Sequence, residues 1–415
     1  MKPRFILNLL YLFTFNGILQ EIGLPIVAIK YASEAITFFS LMVIISKINL
    51  DGIDLKILGA FAIYATVVTF SVVYNGSDVI DTVKYSRYTF IGILFFIAAR
   101  RIDLTEDHSR EIFRFLALIA VIQVVASLIN SKMLLHPLER KVGTLVSTGG
   151  SLATIYVMFI SPYFLSYYLF TKQKKYLYLT VSTLFIGIAS GKRAVVFFYI
   201  VINLITYFRA TNKKFSAQTL FFILLILFCG NFVILNVSSG VQSTGFFNII
   251  DNYSQAIEYA NTYTNNISPD NYAMGRIGSS KNIFNYSLES DDIMVQLIGF
   301  GPKVLMGNMI FHPYKILYGI VGWGNVMICV GFLGLFFYVR LYKKMHSVFN
   351  RERSKTSNPN DHFMKALQLG TSTGFIVWFV SFFFYSTTFV IFSVPLFMFM
   401  ITLGYSVNIK KNHYA

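Results

Sequence analysis

Charge is scarce in this chain. Only 13% of its 415 residues are charged, where a soluble domain carries about 25%. The shortfall excludes an ordinary water-facing surface, and a hydrophobic fraction of 55% excludes intrinsic disorder. Cysteine is nearly absent. Cys229 and Cys329 both fall inside apolar runs, where a thiol is simply a small packing group, so no disulfide framework is available. The histidines are scattered without His-rich or Cys/His spacing, and no metal site is expected. Also missing are a P-loop, a Gly-x-Gly-x-x-Gly fingerprint and an Asp-x-Asp pair in the polar loops, so a nucleotide-consuming mechanism has nothing to rest on and no cofactor is expected.

What is present is apolar and aromatic. With 43 Phe and 26 Tyr and a mean hydropathy of +0.60, the chain reads as an all-α polytopic membrane protein. A bilayer-crossing helix needs roughly 20 apolar residues, and about twelve runs of that scale recur. They centre on Phe5–Leu19, Ile26–Ile45, Ile57–Val73, Tyr88–Ala98, Phe113–Ile129, Leu152–Phe170, Tyr176–Ala189, Ala194–Phe208, Leu220–Leu235, Ile316–Val339, Met364–Tyr385 and Val390–Val407. Met1–Leu24 has no small-residue cleavage site and reads as a first span in place of a cleaved leader.

Orientation follows from Lys and Arg, which are retained on the cytoplasmic side. With both termini inside, the inner segments collect most of them, among them Lys47, Arg100, Arg101, Arg110, Lys172, Lys174, Lys175, Arg209, Lys344 and Arg351. The formal charge of +16 is then largely topogenic and implies membrane lipid, with no nucleic acid, as its partner.

Between the ninth and tenth spans lies one long polar segment, which divides the chain into residues 1–235 (spans one to nine), an outer loop 236–311, and residues 312–415 (the last three spans with a cytoplasmic loop and C-terminus). A loop of that length is functional or contains structure of its own. Its second half reads as an amphipathic helix around Ile277–Tyr286, a short apolar stretch at Ile293–Ile298, and a turn at Gly299-Phe300-Gly301-Pro302. Tyr253, Tyr259, Tyr263, Tyr272 and Tyr286 supply faces suited to sugars or to the headgroup layer.

Cations on the outer side have no topogenic purpose, and near a helix end they need an anionic partner. Lys30, Lys84, Arg87, Arg140, Lys141, Lys192, Arg193, Arg276, Lys281 and Lys303 are of this kind. The sharpest case is Ser190-Gly191-Lys192-Arg193, a turn too short to let both side chains escape far into water. Of the six histidines only His136 and His312 lie outside.

Four patches, in order, carry a resemblance. They are Arg140-Lys141-Val142-Gly143-Thr144 with Gly149-Gly150; Ala189-Ser190-Gly191-Lys192-Arg193-Ala194; Met274-Gly275-Arg276 with Gly299-Phe300-Gly301; and His312-Pro313-Tyr314 followed by Gly319 to Gly334. In this order and on one side, they resemble the bacterial O-antigen polymerase and O-antigen ligase superfamily of membrane glycosyltransferases. The second patch is similar to that family's Ser-Arg-Ala or Thr-Arg-Ala turn, and the resemblance covers roughly residues 140–335. Pro313 departs from the family's common Asn, and no acidic residue precedes the glycine-rich stretch.

The resemblance implies a GT-C-like fold in a bacterial inner membrane, with the active site facing the periplasm. It also implies transfer of a glycan from an undecaprenyl diphosphate-linked oligosaccharide to a sugar hydroxyl, with a chain-length regulator as a further partner. Within it, Arg193 and Arg276 are the expected diphosphate ligands, since a guanidinium binds phosphate oxygens bidentately. Arg140, Lys141, Lys192 and Lys303 are secondary candidates, and His312 is the expected general base, with the adjacent carboxylates Asp291 and Asp292 as alternatives. The acceptor is another lipid-linked repeat unit in a polymerase and lipid A core in a ligase; the departure after His312 and the Asn- and Tyr-rich loop favour the polymerase. A flippase for the same lipid-linked sugars is a more distant alternative, disfavoured by the asymmetric loop and the lack of an internal repeat.

Overall fold

The computed structural model describes residues 3–14, 25–101, 106–133, 144, 150–189, 193–211, 275–305, 320–356, 361–385 and 393–408. Among these residues every regular element is helical. In chain order they are α1 (Pro3–Thr14), α2 (Ile26–Ser46), α3 (Gly52–Tyr74), α4 (Ile80–Arg100), α5 (Glu106–Met133), α6 (Gly150–Thr171), α7 (Lys174–Ala189) and α8 (Arg193–Thr211). There follow α9 (Gly275–Glu289), α10 (Ile293–Ile298), a 3-10 turn (Pro302–Leu305), α11 (Gly322–Thr356), α12 (His362–Val380) running into a π-helical turn (Ser381–Tyr385), and α13 (Ser393–Ser406).

A helix lies beneath each apolar run read from the sequence except Leu220–Leu235, which is outside the described residues. Five segments, Ala28–Ser46, Gly52–Tyr74, Arg110–Ile129, Gly322–Arg353 and His362–Phe384, are long and apolar enough to cross a membrane, which fits a helical membrane protein. α4, which carries Asp81, Lys84, Arg87 and Arg100, is not among them. One boundary differs clearly from expectation. The run ending at Val339 continues as helix to Thr356, because Leu341, Tyr342, Met345, Val348 and Phe349 form a buried stripe through a stretch whose exposed positions are charged or polar.

Local chemistry fixes the helix ends. Asp51 caps α3 by accepting the amides of Ile53 and Asp54, both at 2.9 Å, while Asp54 accepts the Asp51 amide at 3.2 Å. This reciprocal cap satisfies donors that would otherwise be orphaned at the membrane boundary. Asp361 caps α12 in a similar way, through the Met364 amide at 2.9 Å.

The core runs through α4, α6 and α13. Residues 91–100 of α4 and 154–164 of α6 are buried on every face, as expected of helices surrounded by others. α4 lies along α13, α6 along α12, α7 and α8, and α3 along α11. A small residue permits the tightest approach: a Cβ on Gly404 of α13 would sit 2.5 Å from the Phe96 carbonyl oxygen of α4.

Contacts also fix relative directions. α6 and α12 are antiparallel, since Phe159 meets Gly374 while Tyr167 meets Phe363. α3 and α11 are antiparallel, with Ser71 against Cys329 and Tyr64 against Tyr338. α4 and α13 are parallel, with Tyr88 near Phe397 and Ala99 near Gly404 and Asn408. The bundle therefore has two ends about 35 Å apart along α3. One holds Asp51, Arg100 and the α6–α7 turn; the other holds the α3–α4 turn and α9 and α10.

Candidate functional site

The end that holds the α3–α4 turn is built around a broken helix. α11 loses helical geometry at Gly331, whose φ is 65°. The carbonyls of Ile328 and Cys329 are instead taken by the Gly299–Gly301 turn, with Phe300 N donating to Ile328 O at 2.9 Å and Gly301 N to Cys329 O at 3.0 Å. Ser71 Oγ donates to the same Cys329 oxygen at 2.7 Å, and Asn75 Nδ2 to Gly299 O at 3.0 Å. Irregular backbone inside the helix is tolerated here because the Ile328 and Cys329 carbonyls have found donors outside it.

Glycine is required on both sides of this junction. Gly299 has a φ of 75°, and a Cβ there would lie 2.6 Å from the Gly331 amide nitrogen. A Cβ on Gly331 would in turn run into the Leu297 carbonyl. The two backbones interlock with no room for a methyl group.

α9 and α10 dock beside the junction. On α9, Ser279, Ile283 and Ser287 recur at one-turn spacing and are buried, with Ile283 against Gly324, Met327 and Ile328 of α11. Asp292 caps α10 through the Met294 amide at 2.8 Å and accepts Tyr74 Oη at 2.8 Å, tying the α9–α10 segment to the end of α3. These hydrogen bonds, led by that from Tyr74, hold the Asp292 carboxyl below its ordinary range.

Among the expected site residues, Arg276 and Lys303 are exposed, Arg276 near the start of α9 and Lys303 on the 3-10 turn against α3, α4 and α11. Arg193 opens α8, whose direction puts its backbone at this same end; its side chain lies outside what is described. Arg140, Lys141, Lys192 and His312 lie outside the described residues.

Other cations, in the first halves of α2 and α4, are engaged internally. Arg87 Nε lies 3.0 Å from Glu34 Oε2, and Tyr88 Oη bridges them, donating to Glu34 Oε1 at 2.8 Å and accepting from Arg87 Nη2 at 3.2 Å. Lys84 Nζ pairs with Asp81 at 3.0 Å. Lys30 stands over the Tyr88 ring at 5.4 Å. Arg87 is two turns into α4, about 10 Å from its start; a charge at that depth needs such a partner. Arg87 and Lys84 are therefore weaker candidates for an external anion than their outer position suggested.

The opposite end carries a second ion network that sequence reasoning missed. Arg100, 1% exposed, reaches Asp54 Oδ1 through Nη1 at 2.6 Å, and Asp51 through Nη1 at 2.9 Å and Nη2 at 2.8 Å. Arg101 Nη2 reaches Asp54 Oδ2 at 2.5 Å. Burial works against the Asp51 charge, but the Arg100 hydrogen bond, the Asp54 amide and both guanidinium charges outweigh it, holding the carboxyl well below its usual range. Two acids and two guanidinium groups neutralise one another here, which marks a structural clamp. The signal that would have found both clusters was a carboxylate inside or at the edge of an apolar run: Glu34, Asp54 and Asp81. The described residues contain no cluster of three or more potential metal ligands. Set against protein-family models and against curated proteins, the chain matches none.

Proposed function

We propose that this chain is a membrane glycosyltransferase of the O-antigen polymerase type, acting at the outer face of a bacterial inner membrane. It transfers a glycan from undecaprenyl diphosphate to a hydroxyl of a second lipid-linked repeat unit. The observation that carries the reading is the ordered set of four motif patches. Their described parts, the starts of α8 and α9 and the Gly299–Gly301 turn, belong to one end of the bundle.

In this reading the acceptor hydroxyl oxygen attacks the anomeric carbon, the bond from that carbon to the diphosphate oxygen breaks, and undecaprenyl diphosphate leaves with inversion. Arg193 and Arg276 stabilise the negative charge that develops on the diphosphate, a term of about 3–4 kcal/mol for each preorganised group. Arg140, Lys141, Lys192 and Lys303 add to the local positive potential. His312 takes the proton of the attacking hydroxyl.

The test uses the purified full chain in proteoliposomes with lipid-linked repeat units, read on a product gel. Lengthening of the lipid-linked chains is expected. Movement of preformed chains to lipid A core would identify a ligase instead, and no transfer in either format would remove the glycosyltransferase reading. Arg193→Lys keeps the charge and loses the planar fork, so undiminished polymer length in that variant would refute a bidentate phosphate role. Unchanged transfer by His312→Ala would refute the base assignment.

A further inference from the structure

The α9–α10 segment reads from the sequence as part of a polar outer loop, yet it packs at the depth of the spans. Ile283 of α9 meets Gly324, Met327 and Ile328 of α11, Phe284 lies 6.5 Å from the Phe332 ring, and Gly299, at the end of α10, abuts Val330 and Gly331. All of these α11 residues fall within Gly322–Arg353, a stretch long and apolar enough to cross a membrane. α10 also lies against α3, a second such stretch, and is tied to its last turn through Tyr74.

The side turned away from both spans is apolar. Phe284 and Leu288 stand one turn apart on the exposed face of α9, and Ile293, Met294 and Leu297 are exposed on α10. Ile293 is 66% exposed, as bare as any large apolar side chain among the described residues. Exposed apolar side chains gathered in this way mark a surface with a partner, and the two spans beside them indicate which. Phe70 and Val73 of α3 and Leu333 and Phe336 of α11 are bare as well, and on a membrane span such side chains face lipid. The exposed charges of the segment, Arg276 and Lys281 on α9 and Glu289, Asp291 and Asp292 at the turn, are of the kind a headgroup layer accommodates.

The turn between the two helices is closed in a way that water would not require. Gln296 Nε2 donates to the Leu288 carbonyl at 3.2 Å and to the Ser290 carbonyl at 2.7 Å, so a side chain of α10 satisfies the end of α9. Asp292 caps the start of α10, and the chain leaves that helix through amides that donate to Ile328 and Cys329. Backbone groups beside lipid need internal partners of this kind, because acyl chains offer none.

We infer that the α9–α10 segment lies in the membrane interface, with its face of Phe284, Leu288, Ile293, Met294 and Leu297 covered by the acyl chains of the leaflet at this end of the bundle. The inference uses the membrane spans of α3 and α11 and none of the proposed glycosyl chemistry.

The experiment is spin labelling of the full chain in proteoliposomes, with single nitroxides at Leu288→Cys, Ile293→Cys and Leu297→Cys in a Cys229→Ala/Cys329→Ala background. Collision with oxygen, which concentrates among acyl chains, is compared with collision with a water-soluble nickel chelate. Phe70→Cys on α3 is the lipid reference and Asp291→Cys the water reference; all five positions are exposed, so no label displaces a packed side chain. The three test positions are expected to give an oxygen-to-nickel ratio close to that at Phe70→Cys and well above that at Asp291→Cys. A ratio equal to that at Asp291→Cys would place the face in water and overturn the inference. Low collision with both agents, with dipolar broadening that disappears on dilution by unlabelled chain, would overturn it in favour of a second copy as the occupant. Low collision without broadening would overturn it in favour of cover by the chain itself. None of these readings depends on glycan transfer, which keeps its own assay.

Discussion

Removing Arg100 should be among the most damaging single changes to this bundle. Its guanidinium is 1% exposed and makes three charge-assisted hydrogen bonds to Asp51 and Asp54. At about 1.5–3 kcal/mol each these set a ceiling of about 4.5–9 kcal/mol. The net loss is smaller, because Arg101 still reaches Asp54 and because Arg100 was itself desolvated. Breaking a buried pair by deleting one partner costs about 3–5 kcal/mol, and Arg100→Gln is expected in that range. Asp54, 0% exposed, would be left with one guanidinium and little water. The measurement is loss of helicity on titration with SDS in mixed micelles, carried out on Arg100→Gln, Asp54→Asn and the double variant. The double variant should be less destabilised than the two singles added together, because it leaves no charge stranded. A loss below about 1 kcal/mol for Arg100→Gln, the scale of an exposed pair, or strict additivity of the cycle, would refute the clamp.

Gly331→Ala introduces a side chain at a φ of 65° and drives it into the Leu297 carbonyl, so it should lose at least about 1–3 kcal/mol, measured by the same titration. Gly59→Ala is the contrasting control, since nothing lies within 4 Å of its added Cβ; it should be neutral or gain about 0.5–1 kcal/mol. The Asp51 carboxyl titrates lower in the folded chain than its unfolded value of about 3.9. The stability it contributes is therefore complete above that value and is lost as pH falls below about 4. Asp51→Asn should flatten the acid limb of the stability profile below pH of about 4, and an unchanged limb would show that other carboxylates set it.

The helices were legible because the membrane imposes a length scale, and runs such as Ile26–Ile45 and Ile57–Val73 match that scale. What escaped was anything requiring two distant segments at once. α11 extends beyond its apolar run because Tyr342, Met345 and Phe349 face inward while Lys343 and Arg351 face out, a pattern that reads as a loop when hydropathy is averaged. The turn at Gly299–Gly301 was visible from its glycines. Its partner, the break at Gly331, was one glycine among several in the same helix, and only the docking of the two backbones distinguishes it. The ion clusters were hidden for a related reason: Asp54 is on α3 and Arg100 on α4, and Glu34 is on α2 and Arg87 on α4, so each pair forms only when separate helices pack together.

An outer Lys or Arg does not by itself signal an external anion: Arg87 and Lys84 are balanced by Glu34 and Asp81 from the same or an adjacent helix. The sharper criterion is whether a carboxylate is available from the elements around the cation. By that criterion the Lys192-Arg193 turn stands apart. No Asp or Glu occurs between Glu139 and Asp251, so α6, α7 and α8 contain no carboxylate at all. Among the described helices the nearest to α8 are α6, α7 and α12, and α12 has none either. The described helices packed on α8 therefore offer no carboxylate, and the proposed role of Arg193 at the diphosphate draws on this acid-free surrounding more than on its side of the membrane.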